Sequence, residues 1–346
     1  MRASRALYAA DRPPHDEMEE NTMKRLWAIF CGVMLLLTLA ACGGKDKDPT
    51  PSGTANSDGR SIGLGSINTL AVDGNEKTTV KTTVAAVVLD KDGKITECKL
   101  DEAEFPVELK SGVLQVAVDL LTKGDTEDYT LTDSDLGEGN TSNASWDDQV
   151  EAFCDYVEGM TGAQVSAIAA TDGKSEMIKG CDLIITDFIA AVHEATRNAK
   201  TKNIGAGDEL ELSVSVSKSG ESTDAKPQFD IEMAAVTLGG EDRITACLTD
   251  TAQAKLTIEN SLFSHAAGKL DTKRGQGDGY GMKAASPIKK EWYEQADAFD
   301  AYAVGKTAAE LSKLTVGGDG KTDAISGCTM AISGMLKNAV KAAEQD

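Results

Sequence analysis

Residues 85–104 read AAVVLDKDGKITECKLDEAE, and residues 234–253 read AAVTLGGEDRITACLTDTAQ. In each stretch an apolar run, a short polar turn and an ITxC segment follow one another. In the first, Lys91-Asp92-Gly93 supplies the turn residues of a hairpin. The pattern predicts strands over 80–89 and 94–100, and again over 229–238 and 243–249.

Three further blocks recur in the same order. IGLGSINTLAV begins at Ile62 and IGAGDELELSV at Ile204. WDDQVEAFCDYVEGMTGAQV (146–165) matches WYEQADAFDAYAVGKTAAEL (292–311), and EMIKGCDLII (176–185) matches DAISGCTMAI (323–332). Four blocks at nearly constant spacing make an internal repeat of roughly 140 residues, the first copy over 61–202 and the second over 203–346. Apolar residues at helical spacing predict helices over 147–158 and 183–198, and over 293–303 and 328–344. Strands followed by helices imply an α+β fold: two tandem homologous domains, each an antiparallel sheet packed with helices.

The front of the chain reads as an address. Lys24 and Arg25 precede an apolar stretch, Trp27–Ala41, which is followed by Cys42. This order is that of a secretory signal over 23–41, and the stretch is short for a membrane span. Leu39-Ala40-Ala41-Cys42 resembles the bacterial lipobox. That resemblance implies cleavage before Cys42, diacylation of its thiol and a protein tethered to the outer face of the cytoplasmic membrane. Residues 1–22, rich in acids, do not suit a signal peptide and read as an overlong start. Residues 42–60, rich in Gly, Ser, Thr, Pro and Asp, read as a flexible tether with a coil reach of about 25 Å.

Residues 1–41 hold five basic and five acidic residues, so the net charge of −21 belongs to the rest of the chain. Such acidity excludes nucleic acid as a natural partner. His15, His193 and His265 show no metal-ligand or triad spacing. Asp90-Lys91-Asp92-Gly93 lacks the later ligands of a calcium loop and reads as a turn. Cys98 aligns with Cys247 and Cys181 with Cys328. The matches are compatible with disulfides Cys98–Cys181 and Cys247–Cys328 in an exported protein, and equally with buried thiols that pack as small hydrophobes.

The stretch Asp323-Ala-Ile-Ser326-Gly327-Cys328-Thr329 resembles the acceptor site of FMN-binding domains, found in exported flavoproteins and in subunits of ion-pumping oxidoreductases. The family pattern ends Gly-Ala-Thr; here Cys328 replaces the alanine. The resemblance implies FMN esterified through its phosphate to Thr329 by a flavin transferase, with membrane or surface redox partners. On the helix predicted from 328, free N–H groups would face that phosphate, Gly327 would allow close backbone approach, and Asp323 or Ser326 would otherwise serve as an ordinary cap. Residues 269–290 add Lys269, Lys273, Arg274, Lys283, Lys289 and Lys290, with Tyr280 and Met282 as ring neighbours for a flavin. Copy one has Asp182 in place of Thr329 and Lys179 in place of Ser326, so it lacks the acceptor. The matched aromatics Trp146/Trp292, Phe153/Phe299 and Tyr156/Tyr302 read as core. Two other readings are compatible with the sequence: a flavin-free binding or scaffold lipoprotein, and a solute receptor with a cleft between the copies.

Overall fold

The computed structural model describes residues 59–116 and 120–344. The expected overlong start, signal peptide, Cys42 and most of the tether lie outside the described residues. Among those described, no helix is long and apolar enough to cross a membrane.

The first half opens with β1 (Ser61–Asp73), β2 (Lys77–Leu89), β3 (Ile95–Lys110) and β4 (Val113–Val116). Helices follow: α1 (Asp133–Leu136), α2 (Trp146–Val157), α3 (Gly162–Ser166) and α4 (Thr186–Arg197). After β5 (Lys200–Thr201), the second half runs β6 (Glu209–Lys218), β7 (Gln228–Gly239) and β8 (Arg243–Lys255), then the short strands β9 (Ile258–Glu259), β10 (Leu262–Phe263) and β11 (Gly268–Lys269). It closes with α5 (Lys273–Gln276), α6 (Met282–Ala285), α7 (Trp292–Ala303), α8 (Ala308–Leu311) and α9 (Ser333–Glu344).

All strand pairs are antiparallel. One sheet has the order β11-β1-β2-β3-β4, with β5 also on β1; another has the order β6-β7-β8. The expected hairpins are present. Gly93 turns β2 into β3 at φ 75°, and Glu241 and Asp242 do so between β7 and β8 at 61° and 53°. The strands run longer than the apolar signal, because polar residues beyond it are also buried: Thr78 on β2, Glu102 on β3, and Asp250 and Thr251 on β8.

Alternation along the central strands fixes the layers. From β2, Val84, Ala86 and Val88 join a core with Phe229, Ile231, Met233 and Ala235 from β7. Phe105 meets Phe229 edge-on at 5.5 Å in that core. The opposite faces turn outward to helices. Ala85, Val87 and Leu89 pack with α2 and α4, and Ala234, Val236 and Leu238 pack with α7 and α9. Both faces of β2 and β7 are therefore covered, which accounts for their continuous apolar runs. The described residues fall in one compact unit, and its largest apolar cluster draws on both halves of the chain. A Cβ at Gly63 or Gly65 would collide with the α4 backbone at Ala191 and Ala195, so these glycines let the helix lie directly on β1.

Two expectations change. The helices predicted from 183 and 328 begin at Thr186 and Ser333. Backbone donors ahead of them are already taken: Ile185 N–H by Gly173 O, Thr329 N–H by the Gln295 side chain, and Ile332 N–H by Gly320 O. The disulfide pairs are not formed. Cys98, Cys154, Cys181, Cys247 and Cys328 are free and buried. The Cys98 thiol meets Cys154 of α2, not Cys181, and that contact and burial push it well up from its ordinary value.

Candidate functional site

The site is built around Gln295. It lies in the first turn of α7, 1% exposed, where Trp292 and Phe299 anchor the helix to the core. Its Oε1 accepts the Thr329 N–H at 2.9 Å and the Thr329 hydroxyl at 3.2 Å. Its Nε2 donates to Lys290 O and to Ser286 Oγ, each at 3.2 Å. A buried carboxamide with both ends engaged is a rigid clamp, and it fixes the Thr329 hydroxyl without covering it.

Thr329 faces a cavity of about 590 Å³, whose wall also includes Tyr280, Met282, Trp292, Lys273 and Glu232. The volume is that of small-molecule and cofactor sites. Lys273 Nζ stands over the Tyr280 ring at 5.6 Å and the Trp292 ring at 5.4 Å, a cation–π arrangement. Burial lowers the Lys273 pKa, opposed by Asp230 and Glu232. Burial raises Glu232 and Tyr280. The start of α9 meets Glu232 directly: a Cβ at Gly334 would overlap its carboxylate. Hence the helix end expected to face a phosphate is turned toward a protein carboxylate, and Thr329 lies four residues ahead of it.

The expected residues divide. Thr329, Tyr280 and Met282 come together on the cavity wall. Gly327 adopts φ 85°, a left-handed turn that sets the backbone ahead of Thr329. Cys328 is 3% exposed and packs into the core beneath. Asp323, Ser326 and Lys283 are exposed and stand off the wall, and neither Asp323 nor Ser326 caps α9. Of the cationic loop only Lys273 lines the cavity. Arg274 turns away to Asp297 and Asp300, at 2.7 and 2.6 Å. Gln295 was the missing part of the sequence reading, although the matched WDDQ and WYEQ blocks carry it. Trp292, read as core, is both core and wall.

The first half repeats the clamp. Gln149, fully buried in α2, accepts the Asp182 N–H at 2.7 Å and donates to Ala144 O at 3.3 Å, while Gly180 turns at φ 86°. There the residue held is an aspartate, whose carboxylate accepts from Ser142 Oγ at 3.1 Å.

No family model matches the chain, and no solved structure matches it. A 41-residue stretch is 49% identical to a chlorophenol reductase of Desulfitobacterium hafniense. The match spans about an eighth of this chain and about an eighth of that protein.

Proposed function

We propose that the protein is an exported, lipid-anchored flavoprotein of two homologous halves, whose second half carries FMN covalently on Thr329 and relays electrons outside the membrane. One observation carries the reading: the hydroxyl named by the acceptor-like sequence lies on the wall of a cofactor-sized cavity, beside Tyr280, Trp292 and Met282. The residues suit the group. The aromatic and thioether side chains give a ring system apolar and stacking surfaces; Lys273 and Lys321 are the cations of a wall that also carries Glu221, Asp230, Glu232 and Asp319. The homology of the halves is supported by the matched order of strands and helices and by the two glutamine clamps.

FMN, when bound, supplies one- and two-electron transfer. The chain supplies position and environment. Gln295 holds Thr329 at the backbone N–H, a contact that does not need the hydroxyl proton. Ester formation would exchange the Thr329 O–H bond for O–P: the transferase would bring a flavin dinucleotide as donor, whose pyrophosphate bond breaks, and the nucleoside monophosphate and the hydroxyl proton would leave. Lys273, held over two rings, places a cation inside the cavity, while Asp230 and Glu232 balance it.

The test is colour that survives unfolding. Protein made with a flavin transferase should keep its yellow flavin absorbance after acid precipitation, and Thr329→Ala should be colourless. A colourless folded wild type would support the flavin-free binding module instead, with the two halves acting as recognition surfaces.

A further inference from the structure

Thr122-Lys123-Gly124-Asp125 and Thr272-Lys273-Arg274-Gly275 hold matching places in the two halves. Gly124 N–H donates to Asp101 Oδ1 and Arg274 N–H to Asp250 Oδ1, both at 3.1 Å. Those carboxylates also accept the N–H of Glu102 and of Thr251, at 2.7 and 2.8 Å. Asp125 N–H donates to Thr122 Oγ1 and Gly275 N–H to Thr272 Oγ1. Lys123 lies over Tyr129 at 5.4 Å, as Lys273 lies over Tyr280. The position after the lysine is thus the same position, and it holds glycine in one half and arginine in the other.

In the second half the Arg274 side chain enters between β8 and α7. It donates to Thr249 O at 2.5 Å, Asp297 Oδ1 at 2.7 Å and Asp300 Oδ2 at 2.6 Å. In the first half Gly124 sends nothing into the space between β3 and α2. A groove of about 520 Å³ remains, lined by Leu100, Glu151 and Cys154, which the sequence match pairs with Thr249, Asp297 and Asp300. Its rim is acidic, with Glu97, Asp147 and Asp155. Two cations already pair with acids of its lining: Lys99, itself on the wall, is 3.7 Å from Glu211, and Lys341 pairs with Asp125. Among the described residues, Asp147, Glu151 and Asp155 have no ion pair.

We propose that this groove receives an arginine or lysine side chain of a partner protein, in the place that Arg274 fills in the second half. By the match with Thr249 and Asp297, the groove offers the Leu100 carbonyl and, at its exposed edge, the Glu151 carboxylate, a guanidinium's natural acceptors. Cys154 stands where Asp300 would, so the deepest acceptor of the second half is missing and the hold is weaker, as suits a docking contact that must release. The acidity of the chain steers a basic partner toward it. The inference does not depend on Thr329 or on a flavin.

The test uses the full mature chain and a short acetylated, amidated peptide containing two arginines, with its citrulline counterpart as control. Amide resonances of Gly124, Glu151 and Cys154 should shift saturably with the arginine peptide, and binding of the citrulline peptide should be weaker by about tenfold or more. Gly124→Arg should abolish binding, because the chain then fills its own groove; Gly124→Ala should bind as wild type. Glu151→Gln, an exposed change, should weaken binding about tenfold and serves as the second arm if Gly124→Arg does not fold. Equal binding of both peptides, or shifts that neither Gly124→Arg nor Glu151→Gln alters, would overturn the proposal.

Discussion

Lys123 and Lys273 follow matching threonines and lie over matching tyrosines, yet they do opposite things. Lys123 is sealed in: its side chain is 4% exposed and pairs with both Glu102 and Asp135. Against burial, which opposes the charge, those carboxylates raise its pKa. Lys273 looks into the cavity beside Thr329 and makes no ion pair among the described residues. An exchange across a strand pair contributes to the difference, beside Asp135 of α1 as the second partner of Lys123. Thr83 faces Glu102 between β2 and β3, and Glu232 faces Thr251 between β7 and β8. The carboxylate sits on the third strand in one half and on the second strand in the other. On β3 it captures the lysine; on β7 it meets the start of α9 and leaves the lysine free. The lesson is that one sheet scaffold becomes a plugged half or an open half according to which side of a strand pair carries the acid.

The widest separation between the halves should come from the lysines. Lys123→Ala would take the shared cation from two buried carboxylates, leaving Glu102 to Lys81 and Thr83 and Asp135 to Thr132 and Tyr129, and would lower unfolding stability in urea by about 3 kcal/mol. Lys273→Ala would cost less than about 1 kcal/mol, since it removes a cation that burial disfavours. Equal costs would break the comparison.

The clamps come next. Gln295→Ala and Gln149→Ala each leave a backbone N–H without its acceptor and should each cost about 1–3 kcal/mol in the same assay. Only Gln295→Ala should also reduce flavin loading, because only it holds a hydroxyl. Gly180→Ala and Gly327→Ala should each cost about 1–2 kcal/mol for the left-handed turn, again with loss of loading confined to the second half.

A smaller effect is set by pH. Burial raises the Asp101 carboxyl to about 6, although the N–H groups of Glu102 and Gly124 favour its ionised form. A folded pKa above the unfolded value means the folded state holds the extra proton. Its contribution to stability is full below about 4 and is lost as pH rises through about 6. Asp101→Asn should therefore raise Tm at pH 7.5 and leave it unchanged near pH 4. A carbon-13 titration of the Asp101 carboxyl should show a midpoint near 6.

Much of this was legible in the sequence, for identifiable reasons. The matched blocks located the hairpins and the helices that follow them, because apolar periodicity and turn residues are local signals. The starts of α2 and α7 were legible to within a residue, those of α4 and α9 were not: Ile185, Thr329 and Ile332 give their N–H groups to Gly173, Gln295 and Gly320, distant acceptors that no local pattern reveals. Thr329, Tyr280 and Met282 were placed together by a motif and by loop composition. Lys123 and Lys273 were not recognised as counterparts, because the flanking charges differ in sign and only the shared hydrogen bonds to Asp101 and Asp250 reveal the match. Of the two readings open for the cysteines, the structure has the buried thiols; that Cys98 meets Cys154 across a strand and a helix is not something an alignment of the halves reveals.

The central claim is that the open half carries a flavin and the plugged half does not. Intact mass of the mature protein, made with and without a flavin transferase, tests it most directly. The account predicts a gain of one FMN less one water, once per chain, retained in Asp182→Ala and absent in Thr329→Ala. A folded protein that gains no such mass beside an active transferase would contradict it, as would a gain that survives Thr329→Ala.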